Sequence, residues 1–229
     1  MDYKYSLSSI NRVIYGYKVQ YMIESLSALS QGYVLSNNTT FALYVKKILI
    51  RLADVFPKYL VSSGYSYGEI ADCDPHITDC NLSALPTNKI AAPPNVRTKS
   101  LYAGYWSSRL GTSGMDGVYV TKLADAYDLV YSANYYNNTP LFSQSEKLNI
   151  ENDLLIELVL LAIFDKPINN KSVGNRAGEA FVGLVCGIAK LVEFGLEGFY
   201  ETLKIMFLPD GGSLESSAYC FMTISGIFR

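Results

Sequence analysis

The densest group of chemically capable side chains lies in Glu69–Cys80, EIADCDPHITDC, which holds Asp72, Cys73, Asp74, His76, Asp79 and Cys80. Thiolates and imidazole are zinc ligands, so Cys73, His76 and Cys80 could supply three positions of a zinc site. The carboxylates beside His76 suit a harder metal instead. Zinc sites usually draw on two short ligand pairs, and the second pair is missing, with Cys186 and Cys220 far along the chain. An Asp/Pro turn with an incidental histidine is the commoner meaning of such a run. His76 is the sole histidine, so a Ser-His-Asp or Cys-His mechanism would have to pass through it. No nucleophile elbow, phosphate loop, dinucleotide fingerprint or H-E-x-x-H pair accompanies it. An enzyme is therefore not expected, and neither is a cofactor, with zinc at Cys73, His76 and Cys80 kept as the alternative.

Two further sets could bind rather than react. Lys47, Arg51 and Lys58 fall near one line of a helical stretch, with Lys46 beside them. Such a row suits a phosphate or an acidic partner, although a solvated helix face is its ordinary meaning and Asp54 weakens it. The aromatic loops, Tyr102, Tyr105 and Trp106 in YAGYW and Tyr135–Tyr136 further on, suit a protein interface.

These groups must be positioned by helices. Arg176–Leu208 reads as the longest helical pattern, with apolar residues from Phe181 to Phe207 recurring at steps of three and four. It carries Gly178, Gly183, Gly187, Gly195 and Gly198. Each glycine inside a helix costs about 1 kcal/mol against alanine, so close backbone packing should offset them. Gly178, Gly183 and Gly187 could bring another element of the chain, or a second copy, close. Lys190, Glu193, Glu197, Glu201 and Lys204 interrupt the run and weaken a membrane-spanning interpretation. Ile150–Phe164 reads as a core helix capped by Asn149 and ended before Pro167, packing antiparallel against 176–208.

Elsewhere the pattern predicts helices over 8–29, 41–56 with Thr40 as cap, and 121–132. A long irregular aromatic insert spans 64–117, a short strand 118–120, and a firm turn 209–212. Ala218–Phe228 reads as a strand or short helix, leaning to strand. The expected fold is mainly α: one domain over 1–229, made of a helical part (1–63), the insert (64–117), and a helical hairpin with a C-terminal strand or short helix (118–229). Any β element is small.

Composition bears on function. Of 229 residues 49% are hydrophobic but only 17% charged, and 19 are tyrosine. Charged residues average about 25% in globular domains, and charge-poor, tyrosine-rich surfaces resemble interfaces. Net charge is −2, without the basic excess that nucleic acid attracts. Met1–Ser30 shows no signal-peptide pattern, so a virion or host cytoplasm is the expected location, cysteines are not expected to pair, and the Asn-X-Ser/Thr matches read as chance. The expected function is a structural or assembly subunit, most plausibly of a virus or phage particle such as a capsid, neck or tail, with other protein subunits, identical or different, as partners. No small-molecule substrate is indicated, and nucleic acid and membrane are disfavoured. The alternatives are a metal-dependent enzyme or nucleic-acid-processing factor using Asp72–Cys80, and a membrane-associated helical protein.

Overall fold

The computed structural model describes residues 7–59, 61–63, 71–73, 109–110, 116–164 and 168–227. The chain is mainly α-helical. Helix α1 (Leu7–Ser36) is followed by α2 (Thr39–Val55), a 3-10 turn (Phe56–Lys58), and two short strands, β1 (Val61–Ser63) and β2 (Ala71–Cys73), paired antiparallel. Then come α3 (Asp116–Val130), α4 (Gln144–Ile150), a π-helical segment (Glu151–Ile156), α5 (Glu157–Phe164), α6 (Ser172–Val185), α7 (Ala189–Met206) and α8 (Ser217–Ile227).

Two asparagines make the first corner. Asn37 takes a left-handed conformation at φ 53° and its N–H donates to the Tyr33 carbonyl at 2.7 Å, which ends α1. The Asn38 side chain then accepts from the Thr40 N–H at 3.0 Å and starts α2. The cap is thus Asn38, two residues ahead of the expected Thr40, and α1 runs on to Ser36, beyond the expected end at residue 29.

The next helix also starts earlier than its sequence suggests. Ser143, not Asn149, caps α4: its hydroxyl accepts from the Glu146 N–H, and the Glu146 carboxylate accepts from the Ser143 N–H at 2.8 Å. This reciprocal capping box satisfies two backbone donors at once. Lys46 donates to the same carboxylate at 2.8 Å and to the Leu141 carbonyl at 2.6 Å. Burial pushes the Glu146 pKa up, but hydrogen bonds from Lys46 and Ser143 outweigh it and hold the carboxyl below its usual range.

Helix α3 is the centre of the core and packs against α1, α2, α5 and α6. Its Val120, Leu123, Tyr127 and Val130 are fully buried, together with Leu26, Leu49, Phe56 and Leu155 from surrounding helices. Tyr127 meets Tyr131 and Phe142 edge-on, with ring centres 5.5 and 5.9 Å away. Val118–Val120 is the first part of this helix rather than a strand. An apolar triplet does not by itself distinguish the two, and here only Val120 of the three is buried, on the face that continues through Leu123 and Tyr127.

The glycine-rich stretch is two helices, not one. At Gly187, φ is +69°. The Ile188 N–H donates to the Gly183 carbonyl at 2.7 Å, and the Gly187 N–H to the Leu184 carbonyl at 3.3 Å. This bond pair is a Schellman termination. It folds α7 back on α6, so the main hairpin is α6–α7, while α5 packs on α3 and α6. At the far end, Leu208–Gly211 closes the expected turn, with Gly211 at φ +85°. Residues 217–227 then form α8, packed on α6, instead of a strand. Their β-branched and aromatic character is overridden because a helix satisfies its own backbone donors and needs no neighbouring strand.

Candidate docking surface and buried polar clusters

Three buried polar clusters and one exposed apolar groove are the chemically distinctive places among the described residues. The first cluster is built on Arg109, whose side chain is almost entirely enclosed. Its guanidinium donates to the Phe56 carbonyl at 2.8 Å, the Tyr59 carbonyl at 3.1 Å and the Glu157 carboxylate, and stacks 4.3 Å above the Phe56 ring. The backbone N–H groups of Arg109 and Leu110 donate to the two carboxylate oxygens of Asp116 at 2.8 and 3.2 Å. One arginine therefore joins the end of α2, the start of α5 and the start of α3. Its planar fork suits this task. Enclosed and saturated with internal acceptors, it fastens helices together rather than presenting charge to a ligand.

The second cluster surrounds the π-helical segment. The phenol of buried Tyr127 donates to Glu151, the first residue of that segment, at 2.8 Å. Burial and then Glu151 hold the Tyr127 phenol well above its ordinary pKa. Burial, followed by the same carboxylate, pushes the Cys186 thiol up to about 12. π-Helical turns are frequent at functional sites, but both acids here are held protonated at neutral pH. A reactive cysteine needs the opposite environment, because the thiolate is the nucleophile.

In the third cluster Arg176 donates to both oxygens of fully buried Glu179 at 2.8 and 2.9 Å, and lies 5.0 Å from the Phe194 ring centre. It pins α7 to α6. The glycines do the same. A Cβ on Gly195 would lie 2.5 Å from the Ala180 nitrogen, one on Gly183 2.7 Å from the Val192 nitrogen, and one on Gly178 2.6 Å from the Gly117 carbonyl oxygen. The close approach expected of these glycines is made inside the chain. At Gly178 and Gly183 the space a Cβ would need is thus filled by α3 and α7, while Gly187 forms the turn.

The outer side of the hairpin is different. In the 18 residues of α7 only Gly195, Thr202 and Met206 are buried. Leu184 is 65% exposed, Leu196 45% and Tyr200 60%. With Gly183 and Val192 they line an open groove of about 660 Å³ between α6 and α7. Glu193 and Glu197 stand on its edge, followed by Glu201 one turn on, all exposed and none in an ion pair. Ligand pockets enclose their contents around a few convergent polar groups. This groove is instead open and apolar, with exposed Glu193 and Glu197 among its lining residues.

The remaining expected residues fall as follows. Lys47, Arg51 and Lys58 are exposed and form one outer row of α2 and its 3-10 turn, together with Tyr44. Lys46 points elsewhere, to Glu146. Tyr135 and Tyr136 are exposed on the loop closed by the Asn134–Pro140 bridge. Cys73 and Asp72 lie in β2, whereas His76, Cys80, Asp74, Asp79, Tyr102, Tyr105 and Trp106 lie outside the described residues. Among the described residues no three His, Cys, Asp or Glu side chains gather as a metal-ligand set, and no helix is long and apolar enough to cross a membrane.

Sequence reasoning missed the Arg109 clamp because its partners are 48 to 53 positions away. It treated Glu193, Glu197 and Glu201 only as interruptions of an oily run, although their four-residue spacing already placed them on one face. No protein-family model matches the chain, and no curated protein matches it.

Proposed function

We propose that the protein is a structural subunit of a larger protein assembly, acting through docking rather than catalysis. The observation that supports this best is the open apolar groove between α6 and α7, lined by exposed Leu184, Leu196 and Tyr200. Of nineteen large apolar side chains exposed among the described residues, nine fall between Leu184 and Phe221. Scattered exposed apolar residues are normal, whereas a contiguous apolar patch edged with charge marks an interaction surface. The polar clusters point the same way: Arg109 and Arg176 are consumed in helix packing, and Tyr127 and Cys186 are held protonated. The low charge and high tyrosine content add to the assembly reading, and a virus or phage particle component remains the specific form of it that we propose.

The test is the mass of the purified chain by light scattering, with Leu184→Asp and Leu196→Asp as comparisons. Both positions are exposed, so the variants retain their helical circular dichroism. The proposal expects a mass above 25.4 kDa that rises with concentration and falls back in the variants. A wild-type chain at 25.4 kDa throughout, as unchanging as the variants, speaks against it.

A further inference from the structure

Resting on the assembly reading, we infer that the occupant of the α6–α7 groove is α2 of a second copy of this chain. Two unpaired, complementary rows carry the inference. On α7 the carboxylates Glu193, Glu197 and Glu201 recur every four residues beside the groove. On α2 the cations Lys47 and Arg51 are also four apart, with Lys58 beyond them. An α-helix rises about 1.5 Å per residue, so Glu193–Glu197 and Lys47–Arg51 share one axial spacing of about 6 Å. Two helices lying side by side can therefore bring both pairs together at once.

The apolar parts match as well. Tyr44, 52% exposed, sits one turn before Lys47, whose ammonium is 5.6 Å from its ring centre. The groove offers Leu184, Leu196 and Tyr200, with Gly183 and Val192 also lining it. An aromatic anchor entering an apolar groove, with charges at the edge, is a common interface arrangement. Asp54 is the one acid in the α2 row, and it accepts from Asn149 at 3.4 Å, which turns it toward its own chain.

The two surfaces cannot meet within one molecule. Helix α2 packs on α3, α3 on α6, and α6 on α7, which sets two layers between them. Because the surface that receives differs from the surface that enters, the contact is heterologous. Repeated from copy to copy, it produces a ring if the rotation closes and a filament if it does not. The apolar contact supplies most of the attraction. The charge pairs choose partner and register, and they weaken as salt screens them.

Two double variants test this, Lys47→Glu/Arg51→Glu and Glu193→Lys/Glu197→Lys, with circular dichroism confirming the fold. All four side chains are exposed. Each variant alone loses association by about tenfold to a hundredfold, as expected for two surface pairs turned repulsive. Mixed in equal amounts, they restore opposite charges at every contact between unlike chains, the intact basic row against the intact acidic groove and the reversed acidic row against the reversed basic groove. The mass of the mixture then rises above the 25.4 kDa subunit, whereas each variant alone stays close to it. A wild type that associates while both variants associate equally well overturns this contact and leaves the assembly reading standing. Variants that each lose association but regain nothing on mixing overturn it too. A wild type fixed at 25.4 kDa at every concentration removes the assembly reading together with the contact.

Discussion

Replacing Gly195 by alanine tests whether α6 and α7 touch backbone to backbone. In an open helix the change stabilises by about 1 kcal/mol, because alanine loses less freedom on folding. At Gly195 the new methyl would lie 2.5 Å from the Ala180 nitrogen, 2.7 Å from the Arg176 carbonyl oxygen and 2.9 Å from the Ala180 Cβ. Ordinary contact starts near 3.4 Å, so α7 must withdraw by roughly 1 Å, and a gap of that size forfeits up to about half of the attraction across it. Overpacking costs about 1–3 kcal/mol. Two of the three obstacles are main-chain atoms that cannot rotate away, so the upper end applies, and the net destabilisation is about 2 kcal/mol after the propensity gain. With a urea dependence of about 2 kcal/mol per molar, the unfolding midpoint falls by about 1 M. Gly16 in α1 has nothing within 4 Å of its would-be Cβ, so Gly16→Ala raises the midpoint by about 0.5 M on the same scale. The assay is urea unfolding followed by helical circular dichroism. If Gly195→Ala raises the midpoint as Gly16→Ala does, the helices are not in the contact described and the reasoning is refuted.

Three further outcomes are expected. Arg109→Met removes the cation that joins Phe56, Tyr59 and Glu157, and lowers stability by about 3–5 kcal/mol in urea unfolding; Arg109→Lys recovers only part, since an ammonium cannot reproduce the fork, and full recovery counts against the clamp. Tyr127 stays protonated in the folded chain where an unfolded tyrosine ionises near pH 10, so its contribution is complete below that pH and declines above it at about 1.4 kcal/mol per unit. Tyr127→Phe reduces this alkaline slope, and an unchanged slope contradicts the burial and the bond to Glu151. Cys186, raised from 9.0 to about 12, likewise contributes stability that is complete below pH 9 and lost on the way to pH 12. Unfolding of Cys186→Ser across that range checks it, and equal losses in both proteins would count against the assigned environment.

Periodicity made the helices readable because the buried faces of α2 and α3 repeat at helical spacing. It misplaced their ends for local reasons. Ser143 and Asn38 outcompeted Asn149 and Thr40 as caps, and which side chain reaches the free N–H groups depends on backbone geometry that spacing does not encode. Gly187 was the costlier miss. A left-handed glycine that terminates a helix and a helical glycine that permits close packing have the same letter, and five glycines in one apolar run favoured the second meaning. With the break unseen, Leu184 and Leu196 read as one buried face, whereas folding the run in half leaves both outside. The exposed apolar groove was therefore hidden by the very turn that creates it. The cations Lys47, Arg51 and Lys58, by contrast, were legible as one row, because a single helix and its last turn carry them all.

The central claim is that the outer face of the α6–α7 hairpin is covered by another protein chain. Hydroxyl-radical footprinting, read by mass spectrometry at low and high protein concentration, measures this most directly. Leu184, Leu196 and Tyr200 should become protected as the chain concentrates, while Leu35 and Tyr136, 88% and 82% exposed elsewhere, keep their labelling. Equal labelling of the hairpin residues at both concentrations, in a sample whose mass has risen, would contradict the account.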